Sequence, residues 1–167
     1  MSTALLQLLR EHGFKGSAPT LRRFRGSDTV HVVNLQRSAG GGSYVNLGAH
    51  FKYLSRTSWT KIREYECAFR ARLHDFAGGD RFFLDDDASV IALVEMMGTE
   101  GLLWFGAFEP ASVASTVKHV AKQGYDRFVP LGTPAGADTW ARVARHMRDS
   151  ASEKRLRAQA TASSPAG

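Results

Sequence analysis

The residues best suited to chemistry in this chain sit in and around a glycine-rich stretch, SAGGGSYVNLGAHF (38–51). Gly40, Gly41 and Gly42 could cradle a phosphate if they joined a strand to a helix, because a helix amino terminus would then face the anion. The residues after the glycines alternate as a strand instead, no Lys-Ser/Thr pair follows, and the spacing is not GxGxxG. The glycines therefore read as a hairpin connection, supplying backbone angles closed to other residues. Cys67 falls on the apolar parity of EYECAFRARL (64–73). A nucleophilic thiolate needs exposure and a basic neighbour, so Cys67 is expected to be buried and inert. His12, His31, His50, His74, His119 and His146 show no HExxH or paired spacing. Asp85, Asp86 and Asp87 could hold a divalent cation, but they open an apolar segment and are expected to cap a helix. No GxSxG or Ser/His/Asp signature is present. These readings predict no metal site and no cofactor, and they assign no catalytic residue.

What remains is a set of polar residues that share a parity. In TVHVVNLQR (29–37) they are Asn34 and Gln36; in SYVNLGAHF (43–51) Tyr44, Asn46 and His50; in the 64–73 run Glu66, Arg70 and Arg72. Arg23 and Arg25 of TLRRFR (20–25) are placed with them. The opposite parity carries Val33, Leu35, Val45, Leu47, Ala49 and Phe51, expected to join Phe24, Tyr65, Cys67, Phe69 and Leu73 against helices. An antiparallel sheet covered on one side leaves its other side wet. Candidate binding residues on that wet side are Asn34, Gln36, Tyr44, Asn46, Arg70 and Arg72. Arginine and tyrosine bring contact area together with directed hydrogen bonds, which is why they concentrate at interface hot spots.

The elements that must position them follow from periodicity and punctuation. Residues 2–12 form a helix capped by Ser2 or Thr3 and stopped by Gly13. Strands cover 20–25, 29–37, 43–51 and 64–73, with a turn at 26–28. The segment 52–63 has no assignable pattern, and 101–108 is ambiguous between strand and helix. Helices are expected over 85–98, closed by Gly98, over 110–124 from Pro110 to Gly124, and within 133–150. In the last, Trp140, Val143, Ala144 and Met147 make one apolar face and Arg142, Arg145 and Arg148 point away. The switch from period two to period 3.6 near residue 85 predicts an α+β fold. It is an antiparallel sheet of at least four strands with helices packed on one face, in a single domain over residues 1–150. Residues 151–167 read as a disordered basic tail.

The net charge of +6 is unevenly spread: +8 over residues 1–72, −6 over 73–139 and +4 over 140–167. A basic first half and tail suit an acidic partner or nucleic acid, although no recognised nucleic-acid motif accompanies them. The one cysteine excludes an intrachain disulfide, no signal peptide is read at the start, and a cytoplasmic protein with no membrane-length apolar run is expected.

The order of a first helix, HGFK, VVNLQRS, a glycine loop, YVNLGAHF and the arginine-alternating CAFRARL resembles the bacterial family known as domain of unknown function 4304. The resemblance spans roughly residues 3–148 and is sharpest at Asn34-Leu35-Gln36-Arg37-Ser38 and Asn46-Leu47-Gly48. It implies no catalytic residue. It implies an interaction role, of the kind found in toxin–immunity neighbourhoods. The resulting expectation is a non-enzymatic module that binds a protein partner through the polar sheet face. The alternatives are a nucleic-acid binder using the basic first half and tail, and an enzyme of unrecognised type.

Overall fold

A computed structural model describes residues 2–54, 59–76 and 81–112, together with 143 and 145. The first helix, α1 (Thr3–Glu11), begins where Ser2 Oγ accepts the Leu5 amide at 3.2 Å. It ends where Gly13 takes a φ of +82°, open to glycine at little cost. Leu5 and Leu9, four apart, bury one face of it. Five strands follow: β1 (Lys15–Ser17), β2 (Thr20–Arg25), β3 (Thr29–Arg37), β4 (Ser43–Phe51) and β5 (Phe69–Arg72). They form one antiparallel sheet in the order β1-β2-β3-β4-β5. Turns with positive φ at Gly26, and at Gly41 and Gly42, join β2 to β3 and β3 to β4. They hold a long register from Thr29↔Phe51 to Arg37↔Ser43.

Beside α1, the helical layer holds one long continuous run among the described residues, Asp87–Gly106. This run comprises α2 (Asp87–Met96), a π turn (Met97–Gly101) and α3 (Leu102–Gly106). Asp86 caps it, its carboxylate accepting the Ser89 amide at 2.8 Å. Gly98 does not stop the helix as the sequence suggested. The π turn carries the backbone through, and Gly101 lets it pass tightly, since a Cβ there would lie 2.7 Å from Met97 Sδ. By length and composition this helix could cross a membrane. It carries Glu95 and Glu100, and it seats Leu93, Met97, Trp104 and Phe105 in the main core. That core also takes Leu21, Val33, Val45, Leu47, Ala49, Phe51, Phe69 and Ala71 from one sheet face, and Val143 from the chain's later part. Val143 is helical and buried and Arg145 helical and exposed, as the pattern of 133–150 required. The helix expected over 110–124 does not begin at Pro110, since residues 110–112 form a turn; residues 113–124, the rest of 133–150 and the tail 151–167 lie outside the described residues.

Three further sequence expectations are corrected. In β2, Leu21 and Phe24 have opposite parity, so only one can face the helices. Pairing with Val33 puts Leu21 inside, leaving Phe24 45% exposed on the second face and turning Arg23 and Arg25 toward the helices. The 64–73 strand is shorter: Glu64–Glu66 is a single 3-10 turn that leaves Tyr65 57% exposed, and pairing begins at Phe69. Cys67 is buried, but not in the main core. It packs with Val30, Val32 and Ile62 in a small cluster on the second face, with Trp59 against it. Gly48 makes this possible, because a Cβ there would lie 2.7 Å from Cys67 Sγ.

The thiol donates to the Arg63 carbonyl at 3.4 Å. Burial, reinforced by Glu64 and Glu66, pushes its pKa far above the ordinary thiol value. Labelling of native Cys67 by a thiol reagent is therefore expected only at the rate of unfolding. Native labelling as fast as in denaturant contradicts this placement.

Candidate functional site

The six polar residues singled out by parity stand on one side of the sheet. Register sets Asn34 opposite Asn46, Gln36 opposite Tyr44, Asn46 opposite Arg72 and Gly48 opposite Arg70. Side chains at directly opposed positions project to the same side. The group is tied together by its own bonds. Asn46 Nδ2 donates to Gln36 Oε1 at 3.0 Å, and Asn34 Nδ2 to Thr20 Oγ1 at 2.8 Å. The Arg72 guanidinium lies 4.8 Å from the Tyr44 ring centroid, and Tyr44 also meets the His74 ring at 5.4 Å. A cation over an aromatic face is attracted by the ring quadrupole, so Arg72 is held in one place. Gln36, Arg70 and Arg72 are exposed, Asn34 and Tyr44 half-buried, and Asn46 buried among them. The result is a row of oriented donors and acceptors in a fixed order.

Arg70 plays a second part. Its Nη1 donates to the Tyr65 carbonyl at 3.0 Å, and its Nε lies 3.7 Å from Glu64 Oε1. Burial lifts the Glu64 carboxyl above its ordinary value, with Arg70 and Arg72 opposing that rise. Arg70 thus straps the 64–66 turn to β5. His50 Nδ1 helps by accepting the Ala68 amide at 3.0 Å.

The same face continues into a corner that the sequence did not reveal. Phe24 meets Trp59 edge to face at 5.3 Å, and Lys52 Nζ lies 5.9 Å from the Trp59 ring centroid. Arg22 fastens the segment below by donating to the Ile62 and Lys61 carbonyls at 2.8 and 3.1 Å. Arg63 donates to the Tyr65 hydroxyl at 2.8 Å. Residues 52–63 have no periodicity, so nothing in their pattern announces this corner. The exposed parity of Phe24, opposite to Leu21, was the one available sign.

Three other places were candidates for chemistry. In the glycine loop, Ser38 N donates to the Gly42 carbonyl, Gly41 N to the Ser38 carbonyl, and Gly40 N to Ser38 Oγ. Arg81 Nη1 fills the turn, donating to Ser38 Oγ and the Gly41 carbonyl. A Cβ on Gly40 would lie 2.7 Å from that nitrogen. The loop amides are used within the loop, and a loop hydroxyl and carbonyl receive an arginine, the geometry of a hairpin.

Beneath the helices, His31 is fully buried and stacked on Phe105 at 4.7 Å. Arg23 Nη2 lies 2.9 Å from His31 Nδ1, and arginine can only donate, so Nδ1 accepts and the ring proton sits on Nε2. Glu109 receives Arg23 at 3.2 Å and Arg25 at 2.7 Å. A general base needs access and a pKa near working pH. His31 has neither, because burial, Arg23 and Arg25 push its pKa down to about 3. This cluster braces β2 and β3 against the chain after α3. Finally, a cleft of about 420 Å³ is lined by Ala18, Pro19, Leu35, Arg37, Ser43 and Leu84. Among the described residues its walls hold a cation and a hydroxyl but no carboxylate or imidazole.

The profile of a family described as "Domain of unknown function (DUF4304)" matches residues 5–105, which run from α1 through the sheet to the end of the long helix. No curated protein and no solved structure matches the chain.

Proposed function

We propose, from the premise that this chain belongs to the domain-of-unknown-function family DUF4304, that it is a non-enzymatic interaction module which docks a protein partner on the second face of its sheet. The observation that carries this reading is the register that sets Asn34, Gln36, Tyr44, Asn46, Arg70 and Arg72 side by side on one face. A flat row of pre-oriented polar groups loses little side-chain entropy on binding, because Arg72 on Tyr44 and Asn46 on Gln36 are already held. The family resemblance implies an immunity or interaction role, which fits blocking a partner by covering it.

The test is titration calorimetry with the product of the adjacent gene. Arg72→Ala is expected to weaken binding by about 2 kcal/mol or more, roughly thirtyfold, as for an interface hot spot. Its exposed position predicts a melting temperature within a few degrees of the parent. Arg70→Ala is expected to reduce binding and also to loosen the 64–66 turn that it straps. Unchanged affinity in Arg72→Ala contradicts the reading.

A further inference from the structure

We infer that the corner built from Phe24, Trp59 and Tyr65 anchors the docked partner, and that this partner presents a carboxylate-rich protein surface. The inference rests on the second face being the docking face and adds the partner's chemistry.

Two observations meet at this corner. The first is exposed aromatic surface. Phe24 is 45% and Tyr65 57% exposed, although both belong to ordered elements of the sheet layer. Phe24 packs on Trp59, and Tyr65 stands beside Arg63, so each can give a partner apolar contact area next to a cation. Phe24 is also fixed, because Trp59 holds it edge-on at 5.3 Å and Trp59 itself rests on the Val30–Val32–Cys67 cluster. A rigid, half-exposed aromatic has the properties of an interface anchor: large area and little freedom left to lose.

The second observation is charge. Lys52, Lys61 and Arg63 are exposed around these rings. Two of the nearby carboxylates are engaged, since Glu64 faces Arg70 and Glu66 Oε2 accepts the Arg63 amide at 2.7 Å, and Asp28 stands beside Lys52, whose amide its carbonyl accepts at 2.7 Å. The corner therefore offers cations around an apolar centre, and its complement is a surface of carboxylates around an apolar residue.

A nucleic-acid strand would also meet cations and aromatics, but it gains its energy by stacking bases on open ring faces. Trp59 rests on the small cluster, carries Lys52 over its ring and packs against Phe24. Tyr65 carries the Arg63 guanidinium 5.9 Å from its centroid. Trp59 and Tyr65 each already stand by a cation, and the exposed Lys52, Lys61 and Arg63 suit carboxylates.

The experiment is fluorescence anisotropy on the full chain with three probes: a glutamate-rich peptide containing leucine, the same peptide with glutamine for glutamate, and single-stranded oligothymidylate of equal charge. The glutamate peptide is expected to bind best, and to bind more weakly as salt rises. Phe24→Ala, Lys52→Glu and Arg63→Glu should each weaken it by about tenfold or more. If Arg63→Glu lowers the melting temperature, Phe24→Ala and Lys52→Glu carry the test, since neither side chain supports the main core. Tighter binding of oligothymidylate, or no binding of the glutamate peptide, overturns the proposal. So does a bound peptide indifferent to Phe24→Ala and Lys52→Glu. Arg72→Ala separates the two readings. Loss in Arg72→Ala alone leaves the face as the dock and removes this corner as its anchor. Loss only in the corner variants keeps the anchor and removes the polar row.

Discussion

Between pH 7 and pH 4 this protein is expected to lose about 3 kcal/mol of stability through one residue, His31. The imidazole is completely buried. Burial first, then Arg23 and Arg25, push its pKa down to about 3, against 6.5 for a free histidine. Below about 6.5 the unfolded chain takes up a proton that the folded chain refuses, so acid favours unfolding. The loss begins as pH falls through 6.5, grows toward pH 3, and is absent above neutrality. No carboxylate can rescue the charged form cheaply: Glu109 lies 3.9 Å from Nδ1, but Arg23 and Arg25 already occupy it. Urea denaturation across this pH range checks the expectation. His31→Phe should flatten the slope even if it lowers stability at pH 7 by depriving Arg23 of an acceptor. A parent protein whose stability is level from pH 7 to pH 4 contradicts the assignment of His31 as a buried neutral base.

Phe105→Ala is expected to cost about 3–5 kcal/mol, the range for removing a fully buried aromatic ring. Phe105 is wholly buried in α3 and meets its helix neighbour and three other parts of the fold. Its ring centroid lies 5.4 Å from Phe14, 5.2 Å from Trp104 and 4.7 Å from His31, and the Arg23 guanidinium is 5.8 Å away. Truncation opens a cavity between sheet and helix and lets water reach His31 and Arg23. Small domains have only about 5–15 kcal/mol in total, so the variant should sit near the edge of folding. A loss under about 1 kcal/mol in urea denaturation would show that the helix does not pack on the sheet as described.

How far the sequence could be read depended on how local each constraint was. β3 and β4 emerge with the bounds that alternation gave, because glycine turns pin both ends of β3 and the start of β4, and nine consecutive pairs agree on one register. For the same reason the polar row of Asn34, Gln36, Tyr44 and Asn46 was legible: parity is a local property once the register is fixed. β2 was read with its faces exchanged, because Phe24 is the larger apolar residue and Arg23 looks like a surface group. What reverses that choice is Glu109, 86 residues later, which receives Arg23 beside His31. No local pattern carries such information. The start of β5 was misread because Tyr65, Cys67 and Phe69 alternate perfectly, whereas the missing Cβ of Gly48 lets Cys67 drop onto the second face. The long helix was split in the sequence at Gly98, a residue whose usual role is to end helices. The π turn that continues it depends on packing of Met97 and Gly101 against Leu73. The aromatic corner depends on Arg22 reaching across to the Lys61 and Ile62 carbonyls, which no pattern within 52–63 records.

The most direct test of docking on the second face is quantitative capture of partners by the full chain from its own cells. Tagged parent protein, a face variant carrying Gln36→Glu and Arg72→Glu, and a control with Glu95→Gln on the exposed side of α2 are compared by mass spectrometry. All three should fold, since each substitution is at an exposed position. The expected result is a protein recovered equally by the parent and the Glu95→Gln control and absent from the face variant. Recovery of the same proteins in equal amounts by all three would contradict docking through this face.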